Sequence, residues 1–427
     1  PFTYLHQENP EIDFKKQSLL TYALSYQGPS ALMADFTGDG RDDIFLGGAK
    51  MQAATLWVQT SSGTWEERQQ NSFRQDLITE DVVAASFDAD GDGDLDIYAG
   101  SGGYHYLPED LALQDRLYLN DGQGNFAKAS KALPMMRTST GAIAQGDFDL
   151  DGDIDLFVGG SLIPGQYPKK ANSYLLENQG DGTFQLADKT LNKELSGFGL
   201  VTAAEPLDLN ADGRLDILIA GEWMPLTALL NLPGGWELRP DFFGPANNGW
   251  WQSLQAADLD GDGDQDLIAG NLGTNTNLKV SKQEPARMYV GDFDDNGTID
   301  PLLTHFIQGK AHPFYSRDNL FGQLTALRKK FTTYESYADV TIEDILSPQQ
   351  IQEAEILEVT EGASIWIENL GAGKWQVNAL PNAAQMAPIF AIQTADFNGD
   401  GRLDLLLAGN LADTRPTMGP WDANYWQ

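Results

Sequence analysis

The sequence predicts an all-β fold: a seven-bladed β-propeller with acidic loops between its strands and one helical insertion. Three observations carry that expectation. A nine-residue pattern with Asp at positions one and nine and Gly at position six recurs seven times. Each copy runs into a short apolar stretch. Most copies are then followed by a second apolar stretch, a Gly-rich turn and an aromatic residue. The copies spread from Asp35 to Asp404, so one repeat architecture over residues 1–427 is expected rather than a string of separate domains.

Asp147-Phe-Asp149-Leu-Asp151-Gly152-Asp153-Ile-Asp155 displays the pattern. Alternate carboxylates on a chain turned sharply at Gly can converge on one hard cation. Calcium, which takes six to eight oxygens at about 2.3–2.6 Å, suits such a cage. The side chains at positions one, three, five and nine are Asp35, Thr37, Asp39 and Asp43 in the first copy, and Asp88, Asp90, Asp92 and Asp96 in the second. The third has Asp147, Asp149, Asp151 and Asp155; the fourth has Asp208, Asn210, Asp212 and Asp216. The fifth has Asp258, Asp260, Asp262 and Asp266, and the sixth has Asp292, Asp294, Asn296 and Asp300. Asp396, Asn398, Asp400 and Asp404 form the last. One such stretch is ambiguous, because Asp and Gly crowd ordinary turns; seven in register are not. Up to seven Ca²⁺ ions are therefore expected.

A helix–loop–helix calcium hand would need a bidentate Glu at position twelve. That position holds Leu46, Ala99, Val158, Ile219, Ala269, Leu303 and Leu407, none of which binds a cation. The runs that follow, such as Ile44-Phe45-Leu46 and Ile217-Leu218-Ile219, read as strands buried on both faces. The loops are thus expected to join strands.

Along the chain, Phe2–Leu5 is an expected strand and Ser18–Tyr26 carries residues suited to packing. The second signature reads Leu56-Trp57-Val58 to Trp65, Leu117–Asn120 to Phe126, Tyr174–Leu176 to Phe184, Ala228–Asn231 to Trp236 and Ile365–Ile367 to Trp375. Its glycines supply the positive φ of tight hairpins. The unit becomes strand, Asp loop, strand, connection, strand, hairpin, strand: a four-stranded antiparallel sheet, repeated radially as a propeller blade. The interval from Asp258 to Asp292 is too short to hold a complete fifth blade. The interval after Asp300 is long, and residues 305–360 are expected to be a helical insertion within the sixth repeat, with helices over Asp318–Phe331 and Ile342–Leu357. The last copy lacks an outer hairpin, which an N-terminal strand could complete.

Charge narrows the partners. The net charge is −35, from 62 acidic against 27 basic residues, which disfavours nucleic acid and anionic membrane surfaces. Without cysteine there are no disulfides, thiol chemistry or Cys-based zinc sites. No stretch approaches the ~20 apolar residues of a membrane span, so direct membrane insertion is not expected. Weak calcium sites suit an extracellular setting. The chain begins at Pro1, which fits removal of an export signal or lipid anchor.

The Asp loops resemble the FG-GAP/VCBS repeats of integrin α-chain propellers. The chain also resembles the second half of secreted bacterial VCBS proteins of the ASPIC/UnbV group, akin to cartilage acidic protein. That second likeness rests on Gln27-Gly28-Pro29, Gly47-Gly48-Ala49, Leu113–Tyr118, Gly165-Gln166-Tyr167-Pro168, Gly221–Pro225, Gly270–Gly273 and Trp421-Asp422-Ala423. The likeness to integrin-type sites implies that the backbone carbonyl at position seven (Arg41, Asp94, Asp153, Arg214, Asp264, Thr298 and Arg402) completes each cation shell together with water. The second likeness implies a bacterial surface lipoprotein, in some cases beside SusC/SusD-type nutrient importers. Thr37 and the missing last hairpin depart from the pattern.

Outside the loops, the four histidines are His6, His105, His305 and His312. His105 is expected in a loop facing a cleft, and His305 and His312 flank the insertion near Tyr315 and Arg317. A His/Tyr/Arg group of that kind could abstract a proton beside a uronate, as propeller-fold polysaccharide lyases do. Arg317 with Arg328-Lys329-Lys330 is the densest basic cluster and sits in the insertion, where repeat folds often bind partners. Trp223, Trp250 and Trp251 suit sugar stacking or blade core. The expected function is a non-enzymatic binding or scaffold module with a protein partner. The alternatives are a glycan-binding uptake accessory and a polysaccharide lyase.

Overall fold

The computed structural model describes residues 3–245, 247–415 and 418–423. Thr3–Leu5 form no strand, and Phe2 lies outside the described residues.

The acidic loops set the strand boundaries. In all seven copies the preceding strand ends on the residue before position one, and position nine is the first residue of the next strand. The ninth-position Asp pairs across the ladder with that preceding residue. The pairs are Ala34↔Asp43, Phe87↔Asp96, Gly146↔Asp155, Ala257↔Asp266, Gly291↔Asp300 and Ala395↔Asp404. Each loop is therefore a long hairpin turn between antiparallel strands, as the sequence predicts. Gly at position six sits at φ between +82° and +102° in every copy. Position four is left-handed as well, and there Leu150 (φ 67°), Ala211 (61°) and Asp295 (57°) stand where other copies have Gly.

Two compact units make up the chain. The first comprises Leu24–Pro164 and Lys170–Pro206 with the N-terminal residues up to Glu11; the second comprises Ile12–Ala23, Gly165–Lys169 and the chain from Leu207 onward.

Three four-stranded antiparallel sheets build the first unit. They are β1 (Ala31–Ala34), β2 (Asp43–Leu46), β3 (Thr55–Gln59) and β4 (Trp65–Arg68); β5 (Asp81–Phe87), β6 (Asp96–Ser101), β7 (Arg116–Leu119) and β8 (Ala127–Lys128); and β9 (Ser139–Gly146), β10 (Asp155–Leu162), β11 (Tyr174–Asn178) and β12 (Phe184–Leu186). Apolar residues from consecutive sheets interdigitate. Phe36, Phe45, Leu56 and Phe73 of the first meet Ile97, Tyr118 and Phe126 of the second. Phe87, Tyr98 and Leu117 of the second meet Leu156, Val158, Leu176 and Phe184 of the third. Polar stitches reinforce the join. Buried Asp115 accepts from Tyr98 and Ser101 of its own sheet and from Thr140 on β9, while buried Arg116, 2.6 Å from Asp81, braces the second sheet internally. The Leu113–Tyr118 stretch is thus a structural tie.

β13 (Leu200–Leu207) ends where the second unit begins. There β14 (Asp216–Met224), β15 (Thr227–Leu232) and β16 (Gly235–Arg239) run antiparallel, and β17 (Gly249–Trp250) pairs with the end of β14. The next strands are β18 (Ser253–Ala257), β19 (Asp266–Gly270), β20 (Ala286–Gly291), β21 (Asp300–Ile307), β22 (Lys310–Pro313), β23 (Glu355–Val359), β24 (Ile365–Asn369) and β25 (Trp375–Ala379). Their pairing accounts for the short interval after Asp258. The fifth sheet is β18-β19-β24-β25, its outer hairpin supplied by the Ile365–Trp375 signature after a long excursion. The sixth sheet, β22-β21-β20-β23, is spliced into that excursion, with β23 added beside β20. β26 (Ala391–Ala395) and β27 (Asp404–Ala408) form a two-stranded seventh sheet, which packs on the fifth through Ile268, Ile389 and Ile392.

The insertion is less helical than expected. Helices cover Arg317–Gln323, Ile342–Ile345 and Pro348–Glu353, and β23 replaces the end of the second expected helix. Ser347 caps the Pro348 helix, and its N–H and Oγ bond with Gln350 in a capping box, so Ser347-Pro348 starts a new element. No separate N-terminal strand completes the seventh sheet among the described residues; Tyr22 makes a single bridge to Thr414.

Phe73 tests the packing between the first two sheets. It is 2% exposed and lies 4.9–5.6 Å from the Tyr118, Phe45 and Phe126 rings. Phe73→Ala is expected to cost about 3–5 kcal/mol in denaturant unfolding, whereas truncating exposed Met33 to Ala should leave the midpoint nearly unchanged.

Candidate metal centres

One hydrogen-bond code repeats in every acidic loop. The ninth-position carboxylate accepts, through Oδ2, the N–H of position two at 2.8–3.2 Å in all seven copies. Oδ2 of position one accepts the N–H of the position-six Gly at 2.7–3.2 Å. Oδ1 of position five accepts the N–H of position seven at 2.8–3.1 Å. These bonds curl the loop so that its side-chain oxygens face inward.

The ninth-position Asp is also tied to its own sheet. Its Oδ1 accepts a backbone N–H from the third strand or just beyond it: Gln59, Asn120, Asn178, Asn231 and Asn369 serve Asp43, Asp96, Asp155, Asp216 and Asp266 at 2.7–3.0 Å. Asp300 instead accepts from the Gln323 side chain, and Asp404 from Asn398 Nδ2. Burial raises six of these carboxyls. Asp96 and Asp155 are pushed up to about 7, and Asp216 and Asp300 to about 6, with neighbouring loop carboxylates adding to the rise. Asp43 and Asp266 move the same way for the same leading reason. By contrast, Asp396 is held below its ordinary value by the N–H groups of Gly401, Gly399 and Asp400.

Four loops gather three carboxylates with ligand oxygens within 4.8 Å of one another: Asp88, Asp90 and Asp96; Asp147, Asp149 and Asp155; Asp258, Asp260 and Asp262; Asp292, Asp294 and Asp300. The other three loops carry Thr37, Asn210 or Asn398 at position three, so a neutral oxygen replaces a carboxylate there. In the first loop Asp39 is further engaged by the Arg41 guanidinium. The donor set fits a hard cation. It is all oxygen, and Oδ1 of Asp90 and Asp294 at position three, and of Asp94 and Asp264 at position seven, are buried without a hydrogen-bond donor. Asp94, expected to offer only its carbonyl, brings a second oxygen source. Burial beside Asp92 and Asp90 lifts its carboxyl to about 6.

Sequence reading missed the residues that pin each loop to the next sheet. Asn120 Nδ2 donates to the Phe36 carbonyl at 2.9 Å, Asn178 Nδ2 to Ala89 at 3.1 Å, and Trp375 Nε1 to Leu209 at 3.1 Å. All three acceptors stand at position two of the preceding loop. The only sequence signal was Asn or an aromatic at the same place in successive hairpins.

The remaining candidates do not assemble into one open site. Instead of facing a cleft, the His105 side chain is 1% exposed and lies 3.5 Å from buried Glu80, because Tyr104 and Tyr106 carry that loop inward. His6 bonds Glu8 and Tyr4. His305 and His312 are cross-strand partners on β21 and β22, and burial and His312 lower the His305 pKa. The Tyr315 hydroxyl is buried between two carbonyls, and Arg317 donates to the Phe331 carbonyl. Trp223, Trp250 and Trp251 are core residues. Arg328 and Lys329 are exposed.

Two variants separate architecture from cation binding. Asp155→Asn turns an amide N–H toward a backbone donor and is expected to cost about 1–3 kcal/mol even in chelator. Asp149→Asn should change chelated stability by less than about 0.5 kcal/mol and reduce only the stability gained on adding calcium. In chelator, Asp96 and Asp155 bind protons more tightly folded than unfolded, so stability should fall as pH rises from about 4 through about 7. Denaturant melts at pH 5 and pH 8 measure this, and calcium should flatten the difference.

Comparisons with known proteins follow the loops. Residues 35–99, 88–158 and 208–269 match the FG-GAP-like repeat family. No curated protein matches the chain. Among solved structures, the V. cholerae biofilm matrix protein Bap1 is 13% identical, with 95% of this chain and 80% of that one covered and a TM-score of 0.37. Rhamnogalacturonan lyase YesW is 16% identical over 66% of this chain and 55% of its own, with a TM-score of 0.33. A fucose-specific lectin from Aleuria aurantia is 11% identical over 66% of this chain and 75% of its own, with a TM-score of 0.31. FG-GAP-like repeats are thus matched in three places of this chain, and there, as in the other copies of the pattern, the acidic loop closes a hairpin between antiparallel strands.

Proposed function

We propose that this chain is a seven-bladed, calcium-stabilised β-propeller that works outside the cytoplasm as a binding or scaffold module, with another protein as its partner. The observation that carries the reading is the shared bonding code of seven loops, together with the buried Oδ1 atoms of Asp90 and Asp294 at position three, which have no donor. Calcium neutralises carboxylates that otherwise repel one another, so its role here is to stiffen the hairpins that display the surface. A surface lipoprotein beside a SusC/SusD-type importer is one setting that fits such a module.

Glycan binding is the second reading, favoured by a cavity of about 530 Å³ beside the insertion. Its lining includes Arg287, Tyr289, Phe306, Lys310, Asp339, Thr341 and Glu343. Aromatic rings with both hydrogen-bond donors and acceptors suit a polyhydroxylated ring. A lyase reading has no comparable support, since the His/Tyr/Arg candidates are engaged structurally.

Calorimetric titration of the chelated protein is expected to show several calcium sites. At calcium one hundredfold above Kd, each site adds about 2.7 kcal/mol, so chelation should lower Tm by more than about 5 °C; an unchanged Tm overturns the calcium reading. A glycan array showing binding that is lost in both Phe306→Ala and Lys310→Ala would favour the glycan reading over protein recognition alone.

A further inference from the structure

In the sixth and seventh loops a side chain serves Oδ1 of the ninth-position carboxylate; in the seventh it comes from the loop itself, whereas in the sixth it comes from outside and leads to the N-terminal segment. In five loops Oδ1 of that residue accepts a backbone N–H from the sheet's own third strand or just beyond it. Asp300 instead accepts from Gln323 Nε2 at 2.5 Å. Gln323 is the last residue of the Arg317–Gln323 helix, and its Oε1 accepts from Ser18 Oγ at 2.6 Å. The residues on either side of Ser18 make parallel contacts. Gln17 Nε2 donates to the Ile299 carbonyl at 3.2 Å, and the Tyr315 hydroxyl sits 2.6 Å from the Leu19 carbonyl and 3.0 Å from that of Pro301. Residues 17, 18 and 19 therefore engage positions eight and nine of the sixth loop and the residue after it, in order.

That strap is anchored at both ends. Gln17 exchanges two hydrogen bonds with Tyr167, the Tyr22 hydroxyl donates to buried Glu222, and the Leu20 carbonyl accepts from Arg415. Leu19 and Leu20 are fully buried. Asp300 Oδ1 is thus linked to the strap through side chains, while its backbone pairs with Gly291.

We infer that cation occupancy of the 292–300 loop governs the docking of the Ile12–Ala23 strap and the Arg317–Gln323 helix, with Gln323 as the positioning residue that couples them. The inference rests on the calcium reading above. Asp292, Asp294 and Asp300 bring three carboxylate oxygens within 4.8 Å, and the unpaired Asp294 Oδ1 is the remaining acceptor. A cation drawing on Asp300 fixes the carboxylate whose other oxygen orients Gln323. By linkage, whatever factor a docked strap adds to cation affinity, the cation returns to strap docking.

Hydrogen–deuterium exchange on the full chain, across a series of free calcium concentrations, tests this. Protection of residues 292–300 and of 12–23 should rise with the same half-saturating calcium. Loss of an outer-shell partner typically costs ten- to a hundredfold in metal affinity, so Gln323→Glu should shift both transitions at least about tenfold upward. The 147–155 loop should keep its wild-type midpoint. Ser18→Ala, which leaves Asp300 its donor, should weaken the response of 12–23 more than that of 292–300. Asp294→Ala, which removes a ligand without touching Gln323, should abolish the calcium response of 12–23. If 292–300 responds to calcium while 12–23 does not, the coupling is overturned and the metal reading stands. If 292–300 itself shows no calcium response, both fail for this loop.

Discussion

A buried carboxylate at the start of the second strand, present in six of the seven sheets, is the constraint on which the sheets depend. A charged group taken out of water is costly unless it is bonded on every side. In these repeats Asp43, Asp96, Asp155 and their counterparts accept from position two of the loop and, in five sheets, from the third strand or the residue beyond it. One side chain thereby closes the hairpin and locks the next strand in register. The same burial raises its proton affinity, and the carboxylates around it raise it further. A divalent cation would relieve that repulsion while leaving the N–H bonds in place. In this loop design the ninth-position carboxylate serves the fold with the same atoms it would offer to a cation.

Each loop is also held from the side. The residue at position two is apolar and in several copies buried, as Phe36, Phe148 and Leu209 are. Its carbonyl receives a donor from the following sheet's hairpin in three places. Deforming a loop therefore strains two sheets. The sixth loop is the variation on this plan, because its sheet is spliced between β19 and β24 and its ninth-position Asp is served by a side chain from the insertion.

Much of the arrangement is legible from residue order alone. The loop boundaries, the strands that follow them, the positive-φ Gly at position six and the antiparallel hairpins all arise from interactions within about ten residues. The convergence of carboxylates is similarly local, and it appears in the loops with Asp at position three. Histidine placement was less legible: a loop composition like Gly103-Tyr104-His105-Tyr106 does not reveal that two tyrosines will draw the ring inward beside Glu80. The expected helix over Ile342–Leu357 failed at its end because Ile356-Leu357 suits either element, and β20 offered it an edge to pair with.

Local chemistry in the sequence determined the repeated acidic turn, its glycine bend and the all-β character, since each is settled by a side chain acting on its own neighbouring backbone. Tertiary structure alone decided that Ile365–Ala379 completes a sheet begun at Ser253, and that Ser18, Gln323 and Asp300 form one chain of hydrogen bonds. Strand partners and side-chain relays between distant segments are chosen by which unpaired edge or buried acceptor remains once the local pieces have formed. No periodicity in the chain records that choice.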